Sequence, residues 1–399
     1  MANNSLGIEI APINAKPMLD SLTQILRGTQ GLQGSMLLLA TGIGGVNKQT
    51  IIAGAALAGL TAATAKLYKT VIGAVEGYAE LENTLVSIGR IAGFTTLQLT
   101  TLEGNFRSLS LQTGITAEKI ASFGETAARF GIKTPEGVAD FSESMARLGL
   151  VTGEASQSMV RDLARINKLT KASEDEFSNL NSAVVALGNS LPTTEDQIAR
   201  TSGRLSRDLA QFEVSTEFVL GLGGAMAGLG VSAELGGSAI QRLSIALKEA
   251  EGQGGPAIET LASAAGLTTT AFEQMVQSNP AEAVVALAEA GADTDQVLSA
   301  LNLSSVRVRS VFASLSKNSL TLSDAMDTAN DSYKENTTLS KQSAAQAKSL
   351  ANQMKQLEAA QKAVNDTLAG QVEKDAIEYY RLLTDVSKAF AGINDESTK

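Results

Sequence analysis

Between Thr113 and Ala250 one punctuation mark recurs at nearly even intervals: a Thr or Ser followed within one to three residues by Glu. It stands at Thr116/Glu118, Thr134/Glu136, Thr152/Glu154, Ser173/Glu176, Thr194/Glu195, Ser215/Glu217 and Ser232/Glu234. Each pair is a helix-start signal. The hydroxyl accepts a bond from a free first-turn N–H, and the carboxylate lies at the positive end of the helix dipole. A spacing of roughly twenty residues fits one helix of three to four turns plus a short connection. The stretch therefore reads as a chain of short helices folded back on one another, in an all-α fold.

The contents of such helices set what they pack with and which chemistry they carry. The 399 residues are 44% hydrophobic but only 4% aromatic, so the cores are expected to be Leu, Ala, Val and Ile packed helix on helix. Cys, His and Trp are absent. Missing Cys excludes a disulfide framework and thiolate metal sites, and missing His removes the commonest general base and metal ligand. General acid–base work by Asp or Glu alone stays chemically allowed, but no catalytic pair stands out, and no cofactor is implied. A net charge of −10 opposes binding to a phosphate backbone, so specific nucleic-acid binding is not expected.

The first residues, MANNSLGIEIAPINAK, lack the order of a secretory signal, and the chain reads as made in a cytoplasm. Residues 1–95 form a Gly/Ala-rich helical segment. Its continuous uncharged run, Gln49 to Ala65, is short for a bilayer span, which needs about 20 residues. A buried or oligomer-facing helix is the first reading; the alternative makes Ile51, Ile52, Leu57 and Leu60 membrane-facing, as in a pore-forming helical protein. The nearby run from Gly42 to Gln49 imitates a phosphate-binding loop but fails it, with Asn47 in place of the second Gly and Gln49 in place of the Ser or Thr. A further helix is expected over Val75 to Leu102, interrupted by Gly93 and the Thr pairs near Thr95 and Thr100.

Apolar stripes at helical spacing run through residues 96–330. Ile120, Phe123, Ala127 and Phe130 form one, Phe141, Met145 and Leu148 a second, and Ile198, Leu205, Leu209 and Phe212 a third; all are read as core. Gly131, Gly149 and Gly188 are expected at helix ends. Arg200, Arg204 and Arg207 share a helix face that acidic neighbours in sequence make a solvated one. In LGLGGAMAGLG, from Leu220 to Gly230, Gly224 and Gly228 are placed to let two helices approach closely.

Three blocks together resemble the N-terminal helical region of phage tail tape-measure proteins. They are Leu111 to Ile166 (LQTGITAEKIASFGETAARFG and onward), Met226 to Leu247 (MAGLGVSAELGGSAIQRLSIAL) and Leu261 to Ala288 (LASAAGLTTTAFEQMVQSNPAEAVVALA). Each alone is a capped helix; their order carries the likeness. The resemblance implies a structural virion protein, not an enzyme, that sits in the tail-tube lumen, templates tube assembly, fixes tube length and assists genome ejection through the host inner membrane. It implies tail tube protein, tail-tip or baseplate hub proteins and tail assembly chaperones as partners.

Residues 331–399 close the chain with a long amphipathic helix, expected over Leu339 to Phe390. Leu350, Met354, Leu357, Val364 and Leu368, then Leu382 and Val386, make its apolar stripe. About 50 helical residues would span about 75 Å at 1.5 Å per residue. So narrow a stripe needs company, either in a coiled coil as a homo-oligomer or docked along the helical array.

Overall fold

The computed structural model describes residues 79–359, except Glu154, Asp175, Leu350, Met354 and Leu357. The chain divides into two compact units, Met1–Asn83 with Glu358–Lys399, and Thr84–Leu357; nearly all described residues belong to the second. Every regular element among the described residues is helical. A helix over 79–92 (α1) stops at Gly93, whose φ of +82° no side-chain-bearing residue adopts comfortably. Thr95 then caps Thr96–Thr113 (α2) in a reciprocal box with Gln98. The break expected near Thr100 does not occur: its hydroxyl turns back to the Thr96 carbonyl at 3.0 Å, and the helix runs on.

The recurring hydroxyls do much of the local specification. Thr116 precedes Ala117–Phe130 (α3), and Thr134 caps Pro135–Thr152 (α4) by accepting from Gly137 N–H at 3.1 Å. Thr194 caps Glu195–Asp208 (α7), Ser215 caps Thr216–Gly228 (α8) and Ser232 caps Ala233–Gln253 (α9), each through an N–H three residues on. Two expected starts move. Thr152 ends α4, and Ser156 caps Gln157–Leu169 (α5) instead, because Gly153 at φ +90° closes the preceding helix. Phe177–Ser190 (α6) begins after Glu176, whose carboxylate accepts from Ser173 N–H at 2.7 Å, so Ser173 is held by the cap rather than forming it.

These helices alternate between two rows. Caps at Thr95, Thr134, Glu176 and Ser215 open the first row (α2, α4, α6, α8), and caps at Thr116, Ser156, Thr194 and Ser232 the second (α3, α5, α7, α9). Within each row every helix packs on the next. The repeating unit is therefore two consecutive helices, one in each row, in about forty residues, repeated four times and stacked, as in solenoid proteins. Hydrogen bonds between neighbouring units span separations from 35 to 46 around that period, among them Thr134 to Glu174 and Ser156 to Asp196 at 40 and Lys171 to Glu213 at 42. In the first three helices of the second row the fourth residue after the cap is Ile120, Val160 and Ile198 in turn, each with no exposed surface; in the last it is Gly236. The expected stripes are core, with Phe130 only half-buried at its helix end.

Beyond α9 the chain covers the last repeat with five short helices. They are Pro256–Ala264 (α10), Thr269–Ser278 (α11), Pro280–Glu289 (α12), Thr294–Ala300 (α13) and Val306–Lys317 (α14). α12 and α14 lie on α9 and on each other, with Phe272, Val284, Leu287 and Phe312 buried among them. The chain then turns back. Ser319–Glu335 (α15) lies along α8 and α6, and Thr338–Ala347 (α16) along α6 and α4, so the return segment retraces the first row in reverse order.

A single helix from Leu339 onward is not what forms. α16 ends at Ala347, where Lys348 N–H turns to the Ala345 carbonyl at 3.2 Å and Ser349 N–H to Gln346 at 3.0 Å. Helix resumes at 351 under a new cap, the Ser349 hydroxyl accepting from Asn352 N–H at 3.2 Å and its carbonyl from Gln353 N–H at 2.9 Å.

Candidate functional site

The described features converge on the first row and the strap returning along it. At its centre is α8, apolar on every side and buried from Phe218 through Met226. A helix apolar all round is an interior element. Its glycines serve different neighbours. A Cβ on Gly221 would stand 2.9 Å from Met326 Cα and 3.2 Å from the Ala325 carbonyl, both on α15. One on Gly223 would stand 2.9 Å from Ser202 N and 3.0 Å from its Cα, on α7. Gly224 faces the Leu187 side chain of α6 at 3.2 Å. The close pairing expected at Gly224 and Gly228 thus shifts to Gly221 and Gly223, where backbone meets backbone; Gly228 meets only the Leu191 and Pro192 side chains, at 3.5 Å and beyond.

Two other expected cap glycines also prove to be contact sites. Gly131 ends α3 at φ +106°, as its spacing suggested. Gly149 lies inside α4, where a Cβ would come within 3.2 Å of Ala155 N, and Gly188 lies inside α6 beneath the Glu195 side chain. Both give up a side chain so that the chain entering the next helix can cross closely.

The corner between α15 and α16 is tied down by polar groups that sequence reasoning missed. Asn336 takes the left-handed conformation, φ +47°, and its Oδ1 accepts from the hydroxyls of Ser178 at 2.8 Å and Ser182 at 3.0 Å. Ser182 also accepts from Leu339 N–H at 3.3 Å, and Asn179 Nδ2 donates to the Tyr333 carbonyl at 2.9 Å. The Asn-Thr-Thr run from Asn336 to Thr338 was the available signal, since Asn is the residue other than Gly that enters this conformation most readily. Nearby, fully buried Asn181 donates to Ser144 Oγ at 2.7 Å while its own oxygen has no partner.

Charge near the rows is arranged in local pairs. Arg200 reaches Asp196 at 3.3 Å, Arg204 reaches Asp208 at 2.7 Å and Arg207 lies 3.8 Å from Asp208, which leaves a helix face paired within itself. Burial pushes the Asp162 carboxyl above its ordinary value, against the opposing pull of bonded Arg165. Burial pushes Glu125 upward too, but the Ser87 hydroxyl at 2.6 Å and the Arg129 guanidinium at 2.7 Å outweigh it and hold the carboxyl below its ordinary range. Glu289 is raised by loss of surrounding water, with the like charge of Asp327 adding to it.

The chemistry this offers is association of helices. Among the described residues no group of three acidic side chains is placed to hold a metal ion. An open depression of about 350 Å³ lies between Gln211, Phe212, Ile245, Lys248 and Glu249, with one carboxylate beside one ammonium. No described helix is long and apolar enough to cross a membrane. The stripe residues Leu350, Met354, Leu357, Val364, Leu368, Leu382 and Val386, and the apolar candidates Ile51, Ile52, Leu57 and Leu60, lie outside the described residues. No family model, curated protein or solved structure matches the chain.

Proposed function

We propose that the chain is a structural protein of a phage or phage-like tail, a tape-measure protein or its N-terminal portion, made in the host cytoplasm and built into the virion. The observation that carries this reading is the ordered resemblance over Leu111 to Ile166, Met226 to Leu247 and Leu261 to Ala288. What supports it physically is that those blocks fall on repeats of one stack and on the helices that close it. Such an array offers extended helical surface for tube, tail-tip and chaperone partners.

The test is genetic and structural together. Mass spectrometry of purified tails should find the chain, and deleting residues 339–390 in frame should shorten the tube or stop its assembly in electron micrographs. Tails that lack the chain, or tubes of unchanged length after the deletion, would overturn the assignment.

A further inference from the structure

We propose that copies of this chain associate strap to row: the acidic outer face of α15 on one copy docks on the basic outer face of α5 and α7 on the next. The two faces are different surfaces of one chain, so the contact is heterologous. It stands whether or not the chain belongs to a tail.

α15 departs from the way this molecule arranges charge on its other helices. Elsewhere an acid meets a base one turn away, as in Glu103 with Arg107, Glu125 with Arg129 and Glu143 with Arg147. On α15 the residues one turn apart are alike, Asp327 with Asp331 and Asp331 with Glu335, a spacing at which like charges destabilise a helix. With Asp324 they form one exposed stripe, on the side of the helix opposite the buried Leu322, Ala325, Ala329 and Tyr333. None of the four has an ion pair among the described residues, and Lys334 is the one base on that side of the helix. On α12, Glu289 is raised by burial and further by Asp327, so the acidic field extends past α15. Leu320, 80% exposed, heads the same stripe and gives the face an apolar anchor.

The complementary excess is on the second row. α5 turns Arg161, Arg165 and Lys168 away from its buried side, and α7 does the same with Arg200, Arg204 and Arg207. Asp162, Asp196 and Asp208 pair with the arginines among them, while Glu195 leaves this face to lie over Gly188. Six cations against three carboxylates leave an excess of three, equal to the excess of four carboxylates over Lys334 on α15. Arg161 and Lys168 are exposed and have no ion pair among the described residues. Within one copy the two faces do not meet. α15 lies on the first row with its stripe turned away from it, and α5 and α7 turn theirs outward from the second. A second copy supplies each face with the other, and the contact repeats from copy to copy, into a ring or an open row.

Sedimentation velocity of the full chain reads the contact. At about 10 mM salt, where charges act over about 30 Å, the chain should sediment as larger species than at about 1 M, where they act over about 3 Å. Asp324→Lys with Asp331→Lys in one variant, and Arg161→Glu with Lys168→Glu in another, should each weaken the salt-sensitive association about tenfold or more. Mixing the two variants should restore it, since each reversed face then meets its match on the other variant. All four positions are exposed, and unchanged thermal melting shows that each variant is folded. Three results would overturn the proposal: a wild-type chain no larger at low salt than at high, low-salt association that persists in both variants, or folded variants that stay apart when mixed.

Discussion

α8, in the first row, and α16, in the segment that returns along it, are both short helices, and they are held in opposite ways. α8 touches α6, α7 and α15, has backbone against two of its glycines, and is buried all round. α16 rests on α4 and α6 through two buried residues and a bonded corner. The difference teaches that in a stacked fold stability is a property of position along and across the stack rather than of helix length or propensity. A change in α8 is felt by three neighbours at once, whereas a change in α16 opens one segment and leaves the stack standing.

Substitutions can break or sharpen that contrast. Leu222→Ala empties a fully buried site with no free side on which to collapse, and should cost about 3–5 kcal/mol in urea unfolding. Gly223→Ala should cost about 1–3 kcal/mol in the same measurement, because the obstructing atoms include Ser202 backbone N and Cα, at 2.9 and 3.0 Å, as well as its hydroxyl, so turning the side chain alone does not make room. Ser215→Ala removes the α8 cap and should cost about 1 kcal/mol. Ala344→Gly, on the exposed side of α16, weakens that helix by about 0.5–1 kcal/mol. Its effect should appear as faster amide exchange in residues 338–347 with the global melting temperature unchanged; a lowered melting temperature would mean α16 belongs to the cooperative stack after all.

The smallest expected effect concerns pH. Glu289 is raised in the folded chain, so folding takes up protons there, and its neighbourhood loses stability as pH climbs from the ordinary carboxylate range through the raised value. Glu289→Gln should flatten that part of the stability profile and lift the melting temperature slightly at neutral pH. Glu125 has the reverse sign: the stability it contributes is present at neutral pH and is lost as the medium is acidified through its lowered value.

Local chemistry made the helices legible and left their neighbours illegible. Thr134, Thr194, Ser215 and Ser232 were readable as caps because a hydroxyl and its target N–H lie within one turn. At Thr152 the same local signal pointed one turn too early, because Gly153 closes α4 there and Ser156 becomes the cap. Gly149 and Gly188 had no local signal, since what makes them glycine is a crossing chain. The pairing of rows and the return of the strap depend on contacts such as Ser178 with Asn336, 158 residues apart, which no window of sequence contains. The apolar residues expected to meet partners lie outside the described residues.

The short offset of the bonds between repeats also dictates a timetable for synthesis. Each repeat needs only the one made just before it, so the stack can close behind the ribosome as it grows. Gly221, however, waits for Ala325 and Met326, about a hundred residues later, which at translation speeds is on the order of 5–20 s. Throughout that interval the face of α8 that later meets α15 stays uncovered on the nascent molecule.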